Sequence, residues 1–165
     1  MDGGPDREEG PRTPTPADLE LIARNLNECG ARYAVIGGFA LQFYGFSRPT
    51  QDIDLLVDPS PQNVRKVTEA LAVLSDRASL EVGPDDLNQY SVVRVADEIV
   101  VDLLGSACGV TFEDVSGRLE FAPGPGTRIP YASPADLLRM KDTVRPRDHM
   151  DREFLTRLLR EGDPR

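Results

Sequence analysis

The sequence predicts a single mixed α/β (α+β) domain, and three observations carry that expectation. Apolar residues recur at helical spacing in several windows, short β-prone runs lie between those windows, and Gly or Pro punctuates most junctions. A chain of 165 residues suits one domain with its own core. The expected division is a disordered tail over residues 1–14, one domain over 15–160 and a short tail over 161–165.

Met1 to Pro14 is rich in Gly, Pro and charge and lacks apolar periodicity, the composition of a disordered tail. Thr15 before Pro16 has the chemistry of a helix start, Leu19, Ile22 and Leu26 form one stripe, and Gly30 is the stop. Arg32 to Ile36 is a short β-prone run that ends at Gly37-Gly38, after which Phe39 to Tyr44 can wind as a helix closed by Gly45. A second strand, Asp52 to Val57, sets Ile53, Leu55 and Val57 on one face and Asp52 and Asp54 on the other. Ser60-Pro61 opens a helix expected to reach Leu74. Gln89–Val95 and Glu98–Leu104 read as an antiparallel hairpin joined by a tight Ala96-Asp97 connection. Arg118 to Tyr131 is a Gly- and Pro-rich loop flanked by short β segments. Two helices close the chain, from Ala135 to about Lys141 and from about Arg147 to Leu159.

Apolar residues make up 39% of the chain, and no apolar run approaches the roughly 18 residues that cross a bilayer. The start carries no secretory pattern, and Cys29 and Cys108 stand outside any paired spacing, so a cytoplasmic protein with reduced thiols is expected. A net charge of -9 argues against sequence-independent nucleic-acid binding through a basic surface. The charge is uneven: residues 134–165 hold eight Lys or Arg against seven Asp or Glu, and residues 1–133 hold eleven against twenty-one.

Residues i and i+2 of a strand share a face, so Asp52 and Asp54 direct their carboxylates into one space. Two such groups repel, and a divalent cation relieves the repulsion. Asp102 stands in the middle of Glu98–Leu104, a run apolar on both faces, where an unpaired charge costs several kcal/mol. Two compensations are open: a three-carboxylate metal cluster with Asp52 and Asp54, or an ion pair with an arginine such as Arg94 on the hairpin partner. Gly37-Gly38, between a strand and a helix, permits close approach of a polyphosphate to backbone amides, although any tight connection favours glycine. Arg48 and Thr50 flank a proline, where they either reach phosphate or simply shape the turn. His149, the only histidine, has no second histidine or cysteine nearby and carries no assigned role.

Gly37-Gly38, Asp52-Ile53-Asp54 and the later Asp102 together resemble the DNA polymerase β type nucleotidyltransferase superfamily. Val35 to Leu41 and Arg48 to Leu55 resemble small bacterial members, among them the toxin subunits of abortive-infection systems. The similarity continues through Val101–Leu104, Asp136–Lys141, Arg145–Asp148 and Asp151. It implies a short mixed β-sheet flanked by helices, with Mg²⁺ or Mn²⁺ among Asp52, Asp54 and Asp102 as catalytic metal ligands. It further implies that Asp52 and Asp54 hold the ion that carries the triphosphate, and that Asp102 helps hold the ion that activates an acceptor hydroxyl. Gly37, Gly38, Arg48, Thr50, Lys141 and Arg145 are the expected nucleotide-binding residues. Arg147 stands where the family pattern has lysine, and Lys141 and Arg145 read equally as a solvated basic helix face.

The expected function is therefore transfer of a nucleoside monophosphate from a nucleoside triphosphate to a hydroxyl of RNA, a protein or a small molecule. An antitoxin is the expected partner. The alternative is a catalytically inactive module that retains nucleotide or partner binding, and a glycosyltransferase using its Asp-x-Asp is disfavoured by size.

Overall fold

The structure, a computed structural model, describes residues 10–141 and 145–162. Of the tails expected at residues 1–14 and 161–165, residues 1–9 and 163–165 lie outside the described residues. Helix α1, Pro16–Glu28, starts as its sequence requires: the Thr15 hydroxyl accepts from Asp18 N, and the Asp18 carboxylate accepts from Thr15 N. Leu19, Ile22, Ala23 and Leu26 form its buried stripe. Strand β1, Tyr33–Ile36, runs directly into helix α2, Gly37–Phe43, which begins at the glycine pair itself rather than at Phe39. Strand β2 is Ile53–Val57 and helix α3 is Pro61–Leu71. Helix α3 ends before Leu74 because its last amides close shorter turns, yet Leu74 remains buried.

After a 3₁₀ turn at Ala78–Glu81, the short helix α4, Asp86–Gln89, occupies the start of the segment expected to be strand. Asp86 accepts from Gly83 N at 2.7 Å, a local hydrogen bond that favours the turn over extended chain. The hairpin follows as β3, Val92–Ala96, and β4, Val100–Leu104. Its connection is not the Ala96-Asp97 pair but the three residues after Ala96. Buried Asp97 holds them by accepting from the backbone amides of Asp76, Ala78 and Glu98 at 2.7 to 2.8 Å. A second, unexpected hairpin joins β5, Ser106–Ala107, to β6, Val110–Thr111. Its two loop residues, Cys108 and Gly109, have φ of 49° and 80°, the conformation of a type I′ turn. Helices α5, Phe112–Val115, α6, Pro134–Arg139, and α7, Pro146–Glu161, complete the chain.

The four-stranded sheet has the order β1-β2-β4-β3 and is mixed: β2 and β4 are parallel, and the two outer pairs are antiparallel. Val35 N donates to Pro130 O and Ala132 N to Val35 O, which lays residues 130–132 along the outer edge of β1. β3 is the opposite edge. Helix α1 packs on α3, and α6 packs on α7.

Residues 12–14, placed in the disordered tail by composition, belong to the folded body. Arg12 N donates to Glu98 O at 2.9 Å, its guanidinium forks onto Asp18 at 2.8 Å, and Pro14 is buried. That fork, with the amide of Thr15, holds the Asp18 carboxyl down at about 2. A carboxyl with a lowered folded pKa stabilises the fold above its unfolded value near ~4 and loses that contribution as pH falls toward the folded value. Asp18→Asn is expected to cost about 1 kcal/mol at pH 7, with the gap to wild type closing between about pH 4 and 2. Urea midpoints measured across that range check it, and identical midpoints at pH 7 would contradict it.

Candidate active site

One row across the sheet places the chemistry. Ile36 pairs with Asp54, Asp54 with Asp102, and Asp102 with Arg94, so these four residues stand side by side on β1, β2, β4 and β3. Cross-strand partners project from the same face, and Asp52, two residues before Asp54, joins them. The result is a cluster in which one carboxylate oxygen from each of Asp52, Asp54 and Asp102 lies within 4.8 Å of the others.

Glycine is required where the chain leaves the row. Gly37 has φ of 70°, and a Cβ there would overlap the Asp54 carboxylate. A Cβ on Gly38 would stand 2.6 Å from both Cβ and Oγ1 of Thr50. The glycine pair therefore lets the start of α2 lie against the acids, a packing reason that exists alongside any role toward phosphate. The N-cap residue, Ile36, offers no side-chain hydrogen bond to that helix start. Thr50 Oγ1 donates to Asp52 O at 3.0 Å, which fixes the chain as it enters β2.

Burial and mutual repulsion act on the acids in the same direction. Desolvation first, then the charges of Asp52 and Asp102, hold the Asp54 carboxyl well above the ordinary carboxylate range, with Lys141 opposing them. Desolvation and Asp102 also raise Asp52, against the pull of Arg94. Arg94 forks onto Asp102, with Nε to Oδ1 at 2.9 Å and Nη2 to Oδ2 at 3.0 Å, and the same Nη2 reaches Asp52 Oδ2 at 3.3 Å. Of the two compensations that the sequence left open for Asp102, the ion pair with Arg94 is formed, and the three carboxylates also converge. Three converging carboxylates, with the Asp54 carboxyl pushed up to about 8 by burial and by its acidic neighbours, form a hard-oxygen donor set that fits a divalent cation.

The acids line a cleft of about 430 Å³ that also includes Gly37, Gly38, Arg48, Thr50, Lys141 and Arg145. All nine residues expected from the sequence come together there. The three basic ones are not loose in the cleft. Arg48 forks onto Asp151 at 3.0 and 3.1 Å, and Lys141 Nζ lies 3.3 Å from Asp148 and 3.1 Å from Asp151. Arg145 Nε lies 2.9 Å from Asp148. Asp148 and Asp151 are fully buried on α7 and serve as anchors for this basic wall.

Among the described residues, twelve that line the cleft lie outside the expected set, and Arg94 and Cys108 are two of them. Arg94 was visible only as one partner for Asp102, because the hairpin register that seats it depends on the Asp97 loop. Cys108, exposed in its type I′ turn, lines the cleft and donates through Sγ to Met140 O at 3.2 Å, with no sequence signal to mark it. His149 lies on the exposed face of α7, outside the cleft lining.

The fold and site can be set beside known proteins. No curated protein matches the chain. A family model described as "Nucleotidyl transferase AbiEii toxin, Type IV TA system" matches residues 20–161, which includes every strand of the main sheet and all three acids. Among the described residues no helix is long and apolar enough to cross a membrane. A mixed sheet with three acids on adjoining strands is the arrangement a metal-dependent nucleotidyltransferase needs, and the chain belongs to the AbiEii nucleotidyl transferase toxin family of type IV toxin–antitoxin systems.

Proposed function

We propose that the chain transfers a nucleoside monophosphate from a nucleoside triphosphate to a hydroxyl, with Mg²⁺ or Mn²⁺ held by Asp52, Asp54 and Asp102. The observation that carries this reading is the convergence of the three carboxylates within 4.8 Å beside a glycine-lined helix start. Bound divalent cations supply charge stabilisation at the attacking and leaving oxygens of an in-line displacement at phosphorus. Asp54 stands against Gly37, and Asp52 and Asp54 take the triphosphate side of the cleft. The backbone amides of that helix start donate to phosphate oxygens, and Lys141 and Arg145 add positive charge along the leaving pyrophosphate. Asp102 takes the acceptor side and orients the hydroxyl, whose oxygen bonds to the α-phosphorus as the bond to the β-phosphate oxygen breaks and pyrophosphate departs. The acceptor is a hydroxyl of RNA, a protein or a small molecule, and an antitoxin is the cognate regulatory partner.

The direct test is transfer of label from an α-³²P nucleoside triphosphate. Asp52→Asn is expected to lose both nucleotide affinity and transfer. Asp102→Asn is expected to keep appreciable affinity while transfer falls by roughly 100-fold or more. Full transfer by Asp102→Asn would remove its assigned role, and absence of transfer by wild type over a broad acceptor set, RNA included, would favour the inactive-module alternative.

A pH dependence follows from the raised carboxyl. Asp54 keeps its proton in the folded protein up to about 8, whereas the unfolded chain releases it near ~4. The folded state binds more protons across that interval, so stability in chelator should fall as pH rises from 5 to 8. Asp54→Asn should flatten the trend, and added Mn²⁺ should reverse it by replacing the proton. Melting temperatures at several pH values check both, and a flat wild-type profile in chelator would count against the raised Asp54.

A further inference from the structure

The sheet register sets an arginine in the row of the acids. Arg94 stands opposite Asp102 on the edge strand β3, takes both oxygens of that carboxylate, and extends the same Nη2 to Asp52 Oδ2. A divalent cation bridging Asp52 and Asp102 needs an oxygen from each at roughly 2.0–2.2 Å. The guanidinium nitrogen already lies between those two oxygens, and two cations cannot share that space without strong repulsion. Arg94 is also able to leave. Its side chain is 60% exposed, and its strand has no neighbour on the outer side among the described strands.

Resting on the metal reading of the triad, we propose that Arg94 is an exchangeable counter-ion of the catalytic acids, displaced by the divalent cation and passed to the phosphates of the incoming nucleotide. The chemistry suits both positions. A guanidinium fork matches a carboxylate and a phosphate equally well in shape, and the cleft rim brings either within reach of one side chain. Metal alone must compete with Arg94 for Asp102, whereas metal arriving with a triphosphate offers the arginine a new anion as it leaves. Arg94 thereby couples metal loading to nucleotide, and the acids are shielded from free cations when nucleotide is absent.

The test separates the two affinities on the full chain. Free Mn²⁺ is titrated by electron paramagnetic resonance against wild type, Arg94→Gln and Arg94→Lys, first without nucleotide and then with a non-hydrolysable triphosphate. Without nucleotide, Arg94→Gln is expected to bind Mn²⁺ roughly five- to tenfold more tightly than wild type, and Arg94→Lys to fall between them. With the triphosphate the order reverses, because the variant lacks the phosphate contact. In an Asp102→Asn background, Arg94→Gln should no longer tighten Mn²⁺ binding, since the contested carboxylate is gone. Unchanged or weaker Mn²⁺ binding by both Arg94 variants would overturn the exchange. If wild type binds Mn²⁺ and Asp52→Asn binds it equally, the metal reading of the triad fails instead, and the exchange falls with it.

Discussion

Parallel pairing of β2 with β4 is the constraint on which the site depends. It sets Asp54 beside Asp102 in register, and the pleat adds Asp52 to the same face. Two like charges 4 to 5 Å apart repel by roughly 3–4 kcal/mol at an effective dielectric near 20. The surroundings of the cluster can be understood as ways of bearing that repulsion: an Asp54 carboxyl raised above the ordinary range, a guanidinium fork on Asp102, and a donor set that suits a divalent cation. The apolar side of the same strands bears the cost. Ile53, Leu55, Val57, Val101 and Leu103 are all completely buried, so the strands are held by a core that does not depend on how the acids are compensated.

The second ionic system is built differently. Asp148 and Asp151 lie three residues apart on α7, are fully buried, and hold Arg48 from the loop before β2 together with Lys141 and Arg145 from the chain just before α7. Removing one partner from such a buried network commonly costs about 3–5 kcal/mol because a charge is left without compensation. The network fastens α7 to the loop before β2 and to the end of α6, so the positive side of the cleft is held at a set distance from the acids. It also limits how freely those cations can swing onto a phosphate. Arg94, by contrast, is exposed and on an edge strand, and the two kinds of cation are suited to different tasks.

Much of this was legible in local sequence. The Thr15-Pro16, Ser60-Pro61 and Ser133-Pro134 pairs mark helix starts because their hydroxyls cap amides within three residues. The alternation in β2 separated the acid face from the core face, and Gly37-Gly38 marked the tight passage from strand to helix. All of these signals are short in range, so residue identity and spacing alone decide them. The Cys108-Gly109 turn was local too but passed unrecognised, because the positive φ at Cys108 is uncommon for that residue.

What the sequence determined by itself was the inventory: helices and strands in order, three acids suited to a cation, and a glycine pair beside them. The tertiary structure decided how the hairpin is registered and which charges meet. A two-residue turn at Ala96-Asp97 would have set Ser91 opposite Asp102. The carboxylate of Asp97 instead binds amides at Asp76 and Ala78, distant in the chain, and the longer loop brings Arg94 to that position. The folding of residues 12–14 onto Asp18 and Glu98 and the gathering of Arg48, Lys141 and Arg145 around α7 have the same origin. The Arg12–Glu98 and Arg48–Asp151 pairs join segments far apart in sequence, and their energy depends on where the rest of the chain has already packed.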